Sequence, residues 1–157
     1  MRIAFLAVVA LLALPGAADA TIVPQRGMIG LQLGDTVSEV REKKGAPDGI
    51  KFVRNEIIGR QRLYRYGKTW VGFNGDAADA AVINLSTTSR RERLANGVGV
   101  GSLKREVMRK VTGVKCPVDE AFHCYLGRFE PGRRITDFRL SSRSGRVTSV
   151  TVGRVID

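Results

Sequence analysis

Apolar and polar positions after residue 20 form a pattern that occurs twice. In each copy an apolar alternation ends at a glycine, a short polar residue follows, and a run with helical periodicity begins. The two stretches are 30-GLQLGDTVSEVREK-43 and 97-GVGVGSLKREVMRK-110. Apolar residues three or four positions apart within each stretch predict a short helix with a narrow buried stripe. The two copies therefore predict an internal repeat.

The start of each helix has its own sequence signal. Asp35 in the first copy and Ser102 in the second are the predicted N-caps, because their side-chain oxygens accept hydrogen bonds from the first turn. Thr36 and Glu39 form a competing capping box in the first copy. Glycine and proline after each run stop the predicted helices.

Strand signals follow each predicted helix, as β-branched and aromatic residues between turn residues. Their alternation is typical of half-buried antiparallel strands. The predicted strands are 62–66, 69–74 and 81–87 in the first copy, and 122–129, 134–141 and 146–152 in the second. We therefore expect an α+β fold of two tandem helix-plus-antiparallel-meander repeats, with the helices packed on one face of the sheet.

The first 20 residues stand apart from this pattern. A positively charged start, an apolar run at 3–14 and small residues before position 21 predict a secretory signal peptide cleaved after Ala20. An uncleaved anchor is the alternative, but the run is shorter than the roughly 20 residues that span a bilayer. We expect a secreted, periplasmic or cell-envelope protein. The predicted organisation is a signal peptide at 1–20, the first repeat with its linker at 21–96, and the second repeat with a disulfide at 97–157.

The glycine-led helix starts also suggest a family. The residues concerned are Gly34, Asp35, Glu39, Val40, Gly45 and Pro47, and then Gly101, Ser102, Glu106 and Val107. This pattern resembles the exported β-lactamase-inhibitor-protein-like (BLIP-like) fold and the related small lipoprotein subunit of the outer-membrane β-barrel assembly machine. The resemblance implies an exported, non-catalytic binding scaffold. It transfers no inhibitory contact residue, and the absence of a lipoprotein cysteine argues against the assembly-machine role.

The composition is strongly basic, with 26 Lys and Arg against 15 Asp and Glu and a formal net charge of +11. Such a charge favours anionic partners, although a solvated basic surface would have the same composition. Nucleic acid fits the charge, but export disfavours it. We expect the partner to be a protein or an anionic cell-envelope polymer.

The two cysteines, Cys116 and Cys124, are predicted to form a disulfide, since an even cysteine pair in an exported chain is most simply a bridge. A metal site is the alternative. It would add Asp119 and His123, but the spacing lacks the paired C-x-x-C of zinc sites. We predict no metal and no cofactor.

Catalytic chemistry has little support in the sequence. His123 is the single histidine, and no G-x-S-x-G elbow for a serine nucleophile occurs. The run Gly97, Gly99 and Gly101 is one residue short of a dinucleotide fingerprint. A hydrolase of wall polymers remains the competing function, with an acidic pair drawn from Asp76, Asp79, Asp119, Glu120, Glu130 and Asp137. We predict no catalytic residues.

One predicted hairpin combines aromatic and basic residues, the types that dominate binding hot spots. These residues are Arg62, Tyr64, Arg65, Tyr66 and Trp70. Because Tyr64 and Tyr66 share one face of a strand, core packing is the alternative for the tyrosines. The sequence thus favours a secreted, non-catalytic binding module with this hairpin as its site. An electrostatic binder of anionic polymers is a further alternative.

Overall fold

The structure is a computed structural model that describes residues 21–118 and 122–156. The predicted signal peptide and the carboxylates of Asp119 and Glu120 lie outside these residues. The strands are β1 Ile22–Val23, β2 Gly27–Met28, β3 Leu31–Gln32, β4 Gly49–Asn55, β5 Gly59–Tyr66, β6 Thr69–Phe73, β7 Val82–Thr87, β8 His123–Leu126, β9 Arg134–Leu140 and β10 Val147–Arg154. The helices are α1 Val37–Lys44 and α2 Lys104–Lys110.

Seven strands form one antiparallel sheet in the order β4-β5-β6-β7-β10-β9-β8. The three short strands β1, β2 and β3 form a separate small sheet. The contact that unites the large sheet is the pairing of β7 with β10, in which Leu85 lies opposite Val152. Both side chains are fully buried, so the two halves of the chain share one core.

The core lies on one face of the large sheet. Phe73, Phe138 and Leu85 are among its largest fully buried side chains. Both helices add to it, through Val40 of α1 and Val107 of α2. Strands bury one side of the pleat because successive side chains point to opposite faces. The opposite face is therefore free for polar side chains, and we call it the outer face.

The expected fold of two helix-plus-meander repeats is wrong. The protein is mostly β, and its strands belong to one continuous sheet with four strands from the first half and three from the second. Four strands were also missed, namely β4 and the three short strands β1, β2 and β3 of the small sheet. The reason is physical: helix starts and turns are local signals, whereas strand pairing between β7 and β10 is a long-range choice that they do not encode.

The similarity behind the predicted internal repeat is confined to the backbone at the helix starts. Gly34 and Gly101 both have positive φ, of 98° and 94°, which a residue with a Cβ rarely adopts. Each lets the chain turn from extended structure toward a helix. The sheet does not repeat with them, so a repeat architecture is not supported by the fold.

The predicted N-caps Asp35 and Ser102 are also wrong. The caps are the next residues, Thr36 and Leu103, because the chain stays extended through them. Asp35 instead accepts a hydrogen bond from the Gln32 N–H at 2.8 Å, and Ser102 accepts one from the Gly99 N–H at 3.2 Å. These side chains close the turn before the helix rather than capping the helix itself.

Each helix start is held by a glutamate in its first turn. Glu39 accepts from the Thr36 N–H at 2.7 Å, and Glu106 accepts from the Leu103 N–H at 2.8 Å. Thr36 completes a capping box by accepting from the Glu39 N–H at 3.3 Å. Leu103 has no side-chain oxygen, so α2 has only half of that box. Neither helix in the described parts of the chain is long and apolar enough to cross a membrane.

The predicted disulfide between Cys116 and Cys124 is present. It ties the segment that leaves α2 to the edge strand β8. Lys115 and Tyr125 reinforce the connection by exchanging backbone hydrogen bonds of 2.8 and 2.7 Å. The β8 edge of the sheet is therefore covered by its own chain.

We predict that the glutamates at the helix starts make stability depend on pH. The backbone hydrogen bonds from Thr36 and Leu103 lower the pKa of Glu39 and Glu106, respectively. A carboxylate with a lowered folded-state pKa stabilises the fold above its unfolded-state pKa, and this contribution is lost as pH falls through the folded pKa. The parent should therefore melt above the Glu39→Gln/Glu106→Gln variant at about pH 7, with a smaller difference at about pH 3. An equal difference at both pH values, measured by thermal unfolding, would contradict this.

We also predict that removing the disulfide destabilises the fold. Closing the loop between Cys116 and Cys124 restricts the unfolded chain, so Cys116→Ser/Cys124→Ser should lose about 2.5 kcal/mol of unfolding free energy. Urea titration measures the loss, and the parent under reducing agent serves as the control, since it should lose the same amount. Unchanged stability in both samples would show that the bridge constrains nothing.

Candidate functional site

The hairpin residues predicted as a binding site divide between the two faces of the sheet. Tyr64 on β5 lies opposite Val71 on β6 and is only 2% exposed. Its ring packs edge-on against Phe73, with 5.1 Å between the centroids. Tyr64 is therefore a core residue, as the core-packing alternative states, and it is not free to contact a ligand.

Tyr66 lies on the same face as Tyr64, at the end of β5. Its hydroxyl donates to the Gly45 carbonyl at 3.1 Å, and burial raises its pKa. The ring lines a basic concavity of about 610 Å³ together with Lys68 and Arg91. This concavity is separate from the residues of the outer face.

Arg65 and Trp70 lie opposite each other on the outer face, one on β5 and one on β6. Trp70 is half-buried, and the Lys51 Nζ lies 5.0 Å from the centroid of its ring. An ammonium at this distance from an indole makes a favourable cation–π contact. Trp70, Arg65 and Lys51 therefore form a cationic aromatic group at the β4 end of the sheet.

Arg62 lies on the same, core-facing side of β5 as Tyr64, but its side chain is only partly buried. Its guanidinium donates to the Asp76 carbonyl and lies 5.8 Å from the Phe52 ring centroid. Of the five predicted residues, the structure thus brings Arg65 together with Trp70, and Arg62 together with Tyr64, whereas Tyr66 lines the separate concavity. They do not form one surface.

The sequence prediction missed β4, which is the most exposed strand. The five residues between its two end residues, 50–54, are all exposed, and they lie on both faces of the strand. They include Ile50 at 50%, Phe52 at 47% and Val53 at 39%, and the following turn presents Ile57 at 58%. The alternation in 50-IKFVR-54 and the turn residues after it were signals that could have revealed this strand.

β4 is also an open edge of the sheet. It pairs with β5 on one side, and no strand in the described parts of the chain pairs with its other side. The backbone groups on that side are available to another chain. The opposite edge, β8, is covered by the residues around Lys115. The sheet therefore has one closed edge and one open edge.

The surroundings of β4 are strongly basic. The β4–β5 hairpin carries five cations and one carboxylate, namely Lys51, Arg54, Arg60, Arg62 and Arg65 against Glu56. The Arg60 guanidinium lies 4.3 Å from the Phe52 ring centroid and 3.4 Å from the Asp76 carboxylate. The hairpin thus combines exposed apolar side chains with a surplus of positive charge.

The best-placed titratable pair lies near the other edge of the outer face. His123 Nδ1 is 2.9 Å from Asp137 Oδ1, and the imidazole packs against Tyr125 and Phe129. Burial raises the pKa of Asp137, against the opposing effect of His123. Cys124 points into the core on the other face and is disulfide-bonded, so it supplies no thiolate beside His123.

Three of the six carboxylates considered for a hydrolase lie beside basic groups, in three separate places of the fold. Asp76 pairs with Arg60, Asp137 with His123, and Glu130 lies 3.5 Å from Arg133. Within residues 21–118 and 122–156, no three His, Cys, Asp or Glu side chains gather into a group that could hold a metal. The alternative metal set also fails on chemistry, because disulfide sulfurs are not thiolates.

Comparisons with known proteins show a likeness of fold alone. No protein-family model and no curated protein match the chain. An extracellular protein containing a SCP domain from Bacillus anthracis str. Ames has a similar structure, with a TM-score of 0.56 and 9% identity over 78% of this chain and 44% of that one. A cysteine-rich secretory protein from Staphylococcus aureus gives a TM-score of 0.45 and 12% identity, with the same coverages. The chain spans less than half the length of either protein.

These comparisons correct the suggested family. The expected resemblance to the BLIP-like fold and to the small assembly-machine lipoprotein is wrong, since the structural likeness is to a SCP-domain-containing extracellular protein. The glycine-led helix starts on which the resemblance rested are present in the structure. They are local turn geometry, which unrelated folds share.

We predict that Asp137→Asn stabilises the protein at neutral pH. A carboxyl with a raised folded-state pKa favours the fold below its unfolded-state pKa, and this contribution is lost as pH rises through the folded pKa. The variant should therefore melt above the parent at about pH 7 and close to it at about pH 3. A variant that melts below the parent at neutral pH would mean that the contact with His123 outweighs the cost of burial.

Proposed function

We propose that this protein is an exported, non-catalytic binding module that takes an extended, acidic segment of a partner protein along β4. The observation that carries the proposal is the exposed strand β4, whose outer edge no strand of the described residues pairs with and whose surface presents Ile50, Phe52 and Val53. Natural sheets usually shorten, cover or bend such an edge, because it pairs readily with other chains. An edge left open beside exposed apolar side chains is typical of an interaction surface.

Strand addition suits this edge chemically. A bound segment would form main-chain hydrogen bonds with β4, while alternate side chains would contact the residues on either face. The apolar residues Ile50 and Phe52 lie on one face of β4, and Lys51 and Val53 lie on the other. Both faces thus offer apolar contacts to the segment.

The positive charge of the β4–β5 hairpin favours an acidic segment. The cations of the hairpin outnumber its single carboxylate, so acidic side chains would be attracted and basic ones repelled. A second copy of this chain would bring another hairpin with the same surplus of positive charge against β4. Like charges across strands are destabilising, so an acidic partner fits better than self-association.

Export is supported by several observations. Residues 1–20 have the pattern of a signal peptide, and Cys116 and Cys124 form a bridge of the kind that persists outside the cytosol. The structurally similar Bacillus anthracis protein is described as extracellular. A non-catalytic role is favoured because Asp76, Glu130 and Asp137 each contact a basic side chain and lie apart from one another in the fold.

Binding can be tested with synthetic peptides and the fluorescence of Trp70, the only tryptophan. Lys51 lies beside this ring, so occupation of β4 should change its emission. A peptide that alternates glutamate and valine should bind. The same peptide with N-methyl groups on alternate amides should not, because it cannot pair with a strand edge. A lysine–valine peptide should also fail to bind, because of its charge.

Variants locate the site. Lys51→Glu/Arg54→Glu should abolish binding of the acidic peptide, whereas Arg105→Glu/Arg109→Glu, the same charge change on exposed positions of α2, should retain it. Equal binding of the N-methylated peptide would refute strand addition. Concentration-dependent dimerisation in sedimentation that the acidic peptide suppresses would instead assign the edge to a second copy.

A further inference from the structure

A basic cavity lies at the other end of the large sheet from β4. It has a volume of about 660 Å³ and lies between the turn after β1 and the loop from β8 to β9. Four arginines line it, Arg26 from the β1 side and Arg128, Arg133 and Arg134 from the loop. None of the described residues that line it is acidic. This cavity belongs neither to the predicted hairpin site nor to the β4 edge.

The two walls of the cavity are tied together. Gln25 has a φ of 58°, in the left-handed region that a residue with a Cβ rarely adopts. This conformation is held by hydrogen bonds from its N–H to Thr136 Oγ1 at 2.7 Å and from its Nε2 to the Arg134 carbonyl at 2.8 Å. The backbone strain is thus offset by bonds that fix the β1 side against β9.

Gly127 is part of the same construction. It has a φ of 98°, and a Cβ there would lie 2.5 Å from the Arg134 carbonyl oxygen and 2.7 Å from Gln25 Nε2. Only glycine therefore permits the close approach of the two walls. The loop is further anchored because Val155 accepts from the Gly132 N–H and donates to the Arg133 carbonyl. The arginines project from a preorganised frame.

The positive charge in this region is poorly compensated. Arg134 lies directly opposite Arg154 in the pairing of β9 with β10, and like charges in this position repel. Glu130 lies 3.7 Å from Arg128 and 3.5 Å from Arg133, which leaves a surplus of guanidinium groups around the cavity. A bound anion would relieve this repulsion.

Guanidinium groups suggest the class of anion. Their planar fork of N–H donors matches phosphate oxygens and can bind them in pairs. Four guanidinium groups around one cavity offer more positive charge and more N–H donors than a single phosphate group requires. We propose that the cavity is a binding site for a small anion that carries two or more linked phosphate groups, and that Arg26, Arg128, Arg133 and Arg134 hold it.

Calorimetric titration of the purified chain with tripolyphosphate tests this site. Binding should be saturable and weaken with added salt, because the contacts are ionic. Arg128→Ala/Arg133→Ala should weaken it by about tenfold or more, equivalent to at least one lost charged contact. The matched control is Arg105→Ala/Arg109→Ala, which removes the same charge from α2. It should change the affinity by no more than about twofold.

Other outcomes would overturn the proposal. An equal loss of affinity for tripolyphosphate in the loop variant and in the α2 control variant would mean that net charge alone attracts the probe. Equal affinity for citrate, a tricarboxylate, would remove the phosphate class, and absence of binding would remove the site. If the loop variant misfolds by circular dichroism, Arg26→Ala on the opposite wall provides the same test. Tripolyphosphate binding can be separated from peptide binding at β4. The Lys51→Glu/Arg54→Glu variant, which should lose the peptide, keeps all four arginines of this cavity.

Discussion

The pairing of β7 with β10 is the contact on which the rest of the structure depends. It joins strands that lie more than 60 residues apart in the chain, and Leu85 and Val152 are fully buried where they meet. This pairing makes one sheet from two halves and one core beneath it. It also decides which strands lie at the edges, since all other neighbours in the large sheet are connected in sequence order. The positions of the two proposed binding surfaces follow from that placement.

The two edges of the sheet differ because, among the residues that the structure describes, β8 is covered and β4 is not. A disulfide and a backbone bridge from Lys115 cover β8, and exposed apolar and basic side chains mark β4. The arginine cavity lies near the covered edge, where Gln25 and Gly127 hold two segments together. An edge for an acidic chain and a cavity for a phosphate-bearing anion would give the protein two anionic ligands of different chemistry. Its strongly basic composition is consistent with both.

Local features were the most predictable from the sequence. The disulfide followed from two cysteines in a chain with a predicted export signal, and the alternation of residues 64 to 66 indicated that the tyrosines and Arg65 would lie on opposite faces. The caps were misplaced by one residue, because extended backbone continues through Thr36 and Leu103. β4 was missed because the alternation in 50–54 is short and Val53 interrupts it. The arginine cavity could not be predicted from the sequence, because the segments that form its two walls are about 100 residues apart in the chain.

The sequence by itself determined the turns, the start of each helix, the cysteine bridge and the inward or outward direction of side chains along most strands. These depend on backbone sterics and on the two-residue period of a strand, which act within a few residues. Only the tertiary structure decided that the strands form one sheet, that β4 is an open edge, and that four arginines meet in one cavity. Several alternating strands are equally suited to pair with one another, so the choice of partner depends on how the whole core is buried.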